Sequence, residues 1–115
     1  MLDDCSRKDY FIVGSLEAYY SFDDDTANDS SGNGRNGVWE GTETYAEGAN
    51  GEGRAASFDG SSRILVDAFS GFVFGDQFTV SLFFKRTGGT GNYQGIVNTG
   101  YYGNGAWEIR MVGPS

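Results

Sequence analysis

The chain has 115 residues, of which 19 are glycine, one is proline and 16% are aromatic, and its formal net charge is −8. This length suits one domain, and the mixture of turn-forming and sheet-forming residues favours short strands over helices. The acidity disfavours nucleic acid and membrane surfaces as partners, and the absence of histidine excludes histidine-dependent catalysis and histidine-ligated zinc.

Residues 1–15 are interpreted as an N-terminal extension to a domain that spans residues 16–115. The extension is charged and contains Cys5, the single cysteine of the chain, so no disulfide can close within one molecule. Its apolar run, residues 10–13, is shorter than a signal peptide or a membrane span requires.

Three segments alternate apolar and polar residues, which is typical of strands with one buried face. They are residues 16–22, 78–85 and 107–111. Shorter candidate strands are 38–39, 55–58, 64–66 and 94–98, and the intervening stretches, among them 23–37 and 41–53, are predicted turns. No long helical period occurs, so the predicted fold class is all-β, an antiparallel two-sheet β-sandwich or jelly roll.

The stretch after the first predicted strand is rich in oxygen-bearing side chains. Within eleven residues lie Asp23, Asp25, Asp29 and Asn33. Calcium takes about six to eight oxygen ligands in flexible geometry, so these four side chains are the candidate metal ligands. The spacing differs from that of an EF-hand loop, and a solvated acidic turn is the alternative. The overlapping G-x-G-x-x-G at 32–37 opens no helix, which argues against a dinucleotide site.

The late turn region carries side chains that suit a carbohydrate ligand, because aromatic faces stack on sugars and amides bond to hydroxyl groups. The candidate ligand-binding residues are Tyr93, Tyr101, Tyr102 and Asn104. Packing at a sheet edge is the alternative for the tyrosines. Trp107 is in phase with Ile109 and Met111 and is predicted to lie in the core instead.

Four motifs together resemble the opening half of concanavalin A-like lectin/glucanase domains of the laminin G-like type: AYYSFD (18–23), DSSGNGRNG (29–37), ASFDGSS (56–62) and FTVS (78–81). The resemblance covers residues 16–112. It implies an antiparallel jelly roll in an extracellular protein that binds glycans, cell surfaces or other proteins, often with a structural calcium. It also implies that Asp29 and Asn33 lie in the ion-binding loop, with Asp23 beside it.

Domains of this family are longer than the present chain, so the resemblance implies a sandwich that is truncated at its C-terminus, without the strands expected after Met111. Such a sandwich would expose sheet edges and apolar faces to water. We expect a homo-oligomer in which a second copy supplies the missing strands. The alternative is that residues 10–13 form a strand that covers the gap within one molecule.

Glycosidases of this broad fold use two carboxylates that flank the scissile bond, and no late segment carries such a pair. Glu108 is predicted to form an ion pair with Arg110, and the chain is predicted not to be an enzyme. The leading hypothesis is a noncatalytic carbohydrate- or surface-binding module of lectin type, assisted by calcium. The alternative is a structural domain that oligomerises through its incomplete sandwich and binds protein partners. The resemblance implies an extracellular location, although the chain shows no signal peptide.

Overall fold

The computed structural model describes residues 16–89, 91, 93–100 and 105–113. Within these residues the protein is all-β, with six short strands paired antiparallel in three separate sheets, two single-turn 3-10 helices and no α-helix. The strands are β1 (Val38–Glu40), β2 (Tyr45–Glu47), β3 (Arg54–Ala56), β4 (Arg63–Leu65), β5 (Tyr93–Asn98) and β6 (Glu108–Val112), and the 3-10 helices are Ala49–Gly51 and Asp67–Phe69.

The chain divides into two compact units, a first unit of residues Met1–Phe72 and a second unit of residues Val73–Ser115. Strands β1 to β4 belong to the first unit, and β5 and β6 belong to the second. None of the helices in the described ranges has the length and apolar character needed to cross a membrane.

The first unit contains the pairs β1–β4 and β2–β3. In the β1–β4 pair, Trp39 lies opposite Ile64, and both are half-buried, whereas their neighbours on the same strands are exposed. Ala27 is buried next to this strand pair. The N–H of Gly37, just before β1, donates to the Ala27 carbonyl at 2.8 Å. A side chain at position 37 would overlap Ile64, so only glycine permits this close approach.

The sequence predicts residues 41–53 as one long turn. In the structure β2 lies within this stretch, and β3 follows directly after it. That prediction was wrong for β2, which is only three residues long and has too few alternating positions to be recognised. The turn itself is residues 48–53, closed by the Gly48 N–H bonding to the Gly53 carbonyl at 3.0 Å. Asn50 adopts a left-handed conformation in it, with φ of 57°.

Residues 16–22 form no ladder with any strand in the described part of the chain, so the strand predicted there was wrong. Their backbone groups bond instead to the loop that follows. The N–H of Tyr19 donates to the Asp29 carboxylate at 2.9 Å, and the carbonyl of Tyr19 accepts the Ser30 N–H at 2.7 Å. Alternation indicates which side chains share a face, but it does not identify the partner of the backbone.

The second unit is built on the β5–β6 pair, where a bulge between Gly95 and Val97 leaves Ile96 outside the register. The predicted strands at 94–98 and 107–111 are confirmed, each within one residue of β5 and β6. Trp107 is half-buried, and its ring lies 5.4 Å from Phe74 and 5.3 Å from Phe78. These three rings form the main aromatic cluster described in this unit.

The strand predicted at 78–85 is not among those of the described residues, so that prediction was wrong as well. Its alternation is real, but none of the described strands pairs with it, and Phe83 and Phe84 stay exposed. The all-β prediction is confirmed, whereas the sheets themselves are small and not closed.

Candidate functional site

Asp29 is the centre of the loop that the sequence singles out as oxygen-rich. Its Oδ1 accepts the backbone N–H groups of Tyr19 and Ser31, each at 2.9 Å, and its Oδ2 accepts the N–H of Arg35 at 3.0 Å. Partial burial opposes ionisation, but the hydrogen bonds from Ser31, Tyr19 and Arg35 outweigh it and lower the pKa of Asp29 to about 2. The carboxylate is therefore charged under all ordinary conditions.

The same loop, residues 29–36, binds the preceding segment through two further side chains. Asn33 donates from Nδ2 to the carbonyl oxygens of Leu16, at 2.7 Å, and Glu17, at 3.1 Å. Arg35 also donates to the Glu17 carbonyl and forms an ion pair with its carboxylate at 3.1 Å. The 29–36 loop thus replaces a neighbouring strand as the partner of residues 16–19.

Arg35 is a structural residue that the sequence gives no reason to single out. Besides its bonds to Glu17, its guanidinium lies 5.2 Å from the ring centre of Phe69 and 5.3 Å from that of Phe72. Its carbonyl accepts the hydroxyl of Tyr20 at 2.6 Å. Burial, and then the nearby Asp29 charge, raise the pKa of Tyr20 to about 12, so the phenol stays protonated and keeps this bond.

The acidic turn, Asp23 to Asp25, is bound to the start of β3. Asp23 accepts the backbone N–H of Arg54 at 3.0 Å, and Asp25 accepts the Arg54 Nε–H at 2.7 Å. Asp24 turns the other way and accepts both the N–H and the hydroxyl of Thr26. The Arg54–Asp25 pair is exposed, so solvent screens it and its contribution to stability is small.

The four candidate calcium ligands therefore divide between two places. Asp23 and Asp25 both bond to Arg54. Asp29 and Asn33 instead bond to the backbone of residues 16–19, the first segment, and Asp29 also bonds to the backbone of its own loop. Across the described ranges, no three side chains among histidine, cysteine, aspartate and glutamate are grouped so as to hold a metal ion. A cation bound by Asp23 and Asp25 would compete with the Arg54 guanidinium.

A continuous row of aromatic rings runs through the first unit. Successive ring centres are 5.1 to 6.4 Å apart, and the row consists of Tyr20, Phe22, Tyr45, Trp39 and Phe58. Trp39 stacks on Phe58 at 5.1 Å and meets Tyr45 edge-on at 5.6 Å. Phe58, at one end, is exposed, so the row reaches the surface.

Hydrogen bonds fix the centre of this aromatic row. The Trp39 indole N–H donates to the Tyr45 hydroxyl at 2.8 Å, and that hydroxyl donates to Glu43 at 2.8 Å. Burial and the Glu43 contact raise the pKa of Tyr45. Alternation alone places Tyr20 and Phe22 on one face, but the other three rings come from separate segments, and only the fold shows that they meet.

Of the four candidate ligand-binding residues, the structure places one. Tyr93 begins β5, is exposed, and lies beneath the Arg110 guanidinium, which is 4.8 Å from its ring centre. Arg110 also forms the predicted ion pair with Glu108, at 2.8 Å. The other candidates, Tyr101, Tyr102 and Asn104, lie outside the described residues.

No family model, curated protein or solved structure matches this chain. The laminin G-like resemblance therefore stays a prediction from sequence motifs, and function has to be inferred from the geometry of the two units.

Proposed function

We propose that this chain is a noncatalytic recognition domain that binds polypeptide, in the first place a second copy of itself, through its open β-sheets. The observation that carries the proposal is that, among the described residues, Ala27 is the only apolar side chain that is buried in a core. A chain of this length normally buries about two thirds of its unfolded surface. Large apolar side chains that are left in water are a driving force for association.

Four of the exposed apolar side chains form two cross-strand pairs. Val38 and Leu65 lie opposite each other on β1 and β4, and Tyr93 and Val112 lie opposite each other on β5 and β6. Tyr93 and Val112 are 67% and 66% exposed, so both members of that pair face water. A large apolar side chain that becomes buried in an interface contributes about 1.5–3 kcal/mol.

The strand edges support the same proposal. Each described sheet has only two strands, so each strand has one edge without a backbone partner in the described part of the chain. An open edge binds an added strand through main-chain hydrogen bonds. Strand addition by a second copy would extend these pairs towards the two-sheet, concanavalin A-like jelly roll that the sequence motifs resemble.

Light scattering after size exclusion tests this proposal. We expect the unmodified chain to elute as a dimer or larger species at micromolar concentration, and Val112→Lys or Val38→Lys to shift it towards monomer, because each puts a charge into the proposed interface. Gln77→Lys is the matched control, since Gln77 is exposed and polar and should change nothing. A monomeric unmodified chain would overturn the proposal.

Carbohydrate recognition is the second candidate function, and the aromatic row favours it. Phe58 is 53% exposed and stacks on Trp39, so it presents a fixed aromatic face of the kind that binds sugar rings. We expect binding on a glycan array that is lost in Phe58→Ala and retained in Phe83→Ala, which removes an exposed ring from the second unit. Silence across a broad array would reject this function. For either function we propose an extracellular location, because the laminin G-like resemblance implies it.

We propose calcium as a cofactor only at the acidic turn, where the Asp25 carboxylate binds the Arg54 guanidinium and the Asp23 carboxylate accepts the Arg54 backbone N–H. A ligand that binds only the native state at one hundred times its dissociation constant stabilises it by about 2.7 kcal/mol. We expect millimolar calcium to raise the Tm relative to chelator, and Asp23→Asn with Asp25→Asn to abolish the rise. An unchanged Tm would exclude the site.

A further inference from the structure

The chain contains four asparagines that are each followed by glycine, Asn33, Asn36, Asn50 and Asn104. Asparagine is thermolabile, and a following glycine leaves its own backbone nitrogen without steric protection. Asn104 lies outside the described residues, but the other three stand in different surroundings. Their different hydrogen bonds make them chemically unequal.

The reaction at such a pair is intramolecular. The backbone nitrogen of the glycine loses its proton and attacks Cγ of the asparagine, so that a C–N bond forms, the Cγ–Nδ2 bond breaks and ammonia leaves. Water then opens the five-membered imide at either carbonyl, giving aspartate or isoaspartate. No oxidant or reductant takes part, and water is the only co-reactant. The requirements are a free asparagine side chain and a glycine nitrogen that can approach it.

Asn36 meets neither requirement. Its Oδ1 accepts the backbone N–H of Asp29 at 2.9 Å, so its side chain is fixed. The attacking nitrogen of Gly37 is engaged too, because it donates to the Ala27 carbonyl at 2.8 Å in the packed region beside Ile64. Reaction at Asn36 therefore needs local unfolding of this part of the first unit.

Asn33 is protected at the side chain. Its Nδ2, the leaving group, donates to two carbonyl oxygens, those of Leu16 and Glu17. Both bonds must break before the amide can rotate towards Gly34. We therefore expect Asn33 to react more slowly than an unrestrained asparagine, although its position is exposed.

Asn50 lacks this protection. It is exposed at the tip of the β2–β3 hairpin, and its side chain makes no hydrogen bond within the described part of the chain. The Gly51 N–H donates to the Gly48 carbonyl, but at 3.2 Å and within an isolated single turn. Such a bond opens readily, because turns at loop tips have the lowest local stability.

From these contacts we propose that Asn50 is a site of spontaneous deamidation, which converts the hairpin tip to aspartate or isoaspartate. The aspartate product keeps the fold, since aspartate tolerates the left-handed conformation of residue 50. The isoaspartate product adds one atom to the main chain inside the turn that joins β2 to β3. Both products add a negative charge near Glu47, the side chain closest to Gly51.

Peptide mass spectrometry of the full chain tests this assignment. After incubation at mildly alkaline pH, we expect the peptide that contains Asn50 to gain about 1 Da, the difference between amide and carboxylic acid, well before those that contain Asn33 and Asn36. A parallel incubation in denaturant measures each site without its structure. The native rate divided by the denatured rate should be at least about tenfold larger at Asn50 than at Asn36.

Asn50→Asp is the control variant, because it carries the product charge and has no amide to lose as ammonia. It should show no mass gain in this peptide while Asn33 and Asn36 keep their rates. Equal native-to-denatured ratios at the three sites would overturn the assignment, and so would faster native reaction at Asn33 or Asn36.

Discussion

Asp29 shows how a side chain that looks like a metal ligand can serve the backbone instead. Three N–H groups converge on its two oxygens, and two of them, from Tyr19 and Arg35, come from outside its immediate turn. A carboxylate is a strong acceptor for such donors, because hydrogen bonds to a charged oxygen are stronger than those to a neutral one.

The pKa of Asp29 gives a prediction about acid stability. Its folded-state pKa of about 2 lies below the ordinary value of 3.8, so its contribution is fully present above pH 3.8 and is lost as the pH falls through about 2. We expect Asp29→Asn to be less stable than the unmodified chain at neutral pH, and the difference to shrink between pH 4 and pH 2.

Urea unfolding at a series of pH values measures this difference. Asp24→Asn is the matched control, because within the described structure Asp24 bonds only to nearby Thr26, so this variant should change stability much less. A stability difference for Asp29→Asn that does not depend on pH would contradict the assignment.

The sequence identified Asp29 and Asn33 as members of one cluster, and both do bond to the segment that precedes them. The sequence could not identify their partners. A carboxylate can bind either a cation or an N–H group. Which of the two it binds depends on whether the fold brings residues 16–19 close to it.

At the scale of elements, the β2–β3 hairpin is connected to the acidic turn through a position that favours glycine. Gly53 has a φ of 63°, and a side chain there would overlap Oδ1 of Asp23, the atom that accepts the Arg54 N–H. We therefore expect Gly53→Ala to separate the acidic turn from β3. Thermal unfolding should show a loss greater than the cost of backbone strain alone, about 1–2 kcal/mol.

Gly60→Ala provides the comparison for that prediction. Gly60 also has a positive φ, of 90°, but no described atom lies within 4 Å of the added carbon, so this variant shows the strain without the overlap. Equal Tm losses in the two variants would mean that Asp23 does not hold β3 as described.

The success of strand prediction depended on whether a partner strand was present. The segments at 38–39, 94–98 and 107–111 formed strands because each has a paired neighbour. Residues 16–22 and 78–85 alternate as regularly as 107–111, yet neither belongs to a sheet among the described residues. Alternation is a property of one segment, whereas pairing requires two, and the second segment is not encoded locally.

At the scale of the whole molecule, the sequence correctly indicated an all-β protein with many short strands and turns. Composition was sufficient for this, because glycine and aromatic content are properties of the entire chain. Composition could not predict how the sheets are arranged. Closing a sandwich depends on long-range contacts, whose partners lie far apart in sequence or in another molecule.

Self-association predicts that stability depends on protein concentration. If a second copy covers Val38, Leu65, Tyr93 and Val112, dilution removes that cover and lowers the Tm by mass action. Calorimetry over a hundredfold range of concentration would detect the shift, and we expect it to be absent in Val112→Lys. A Tm independent of concentration would show that the folded state is stable without association.

The 29–36 loop also has a consequence for the order of folding. Its bonds to the first segment join residues 10 to 18 positions apart, whereas the Asp23–Arg54 bond joins residues 31 apart. Short loops close at lower entropic cost and form sooner. We expect the contact between residues 16–19 and the loop to form first during folding, and the β2–β3 hairpin to dock afterwards onto a turn that is already in place.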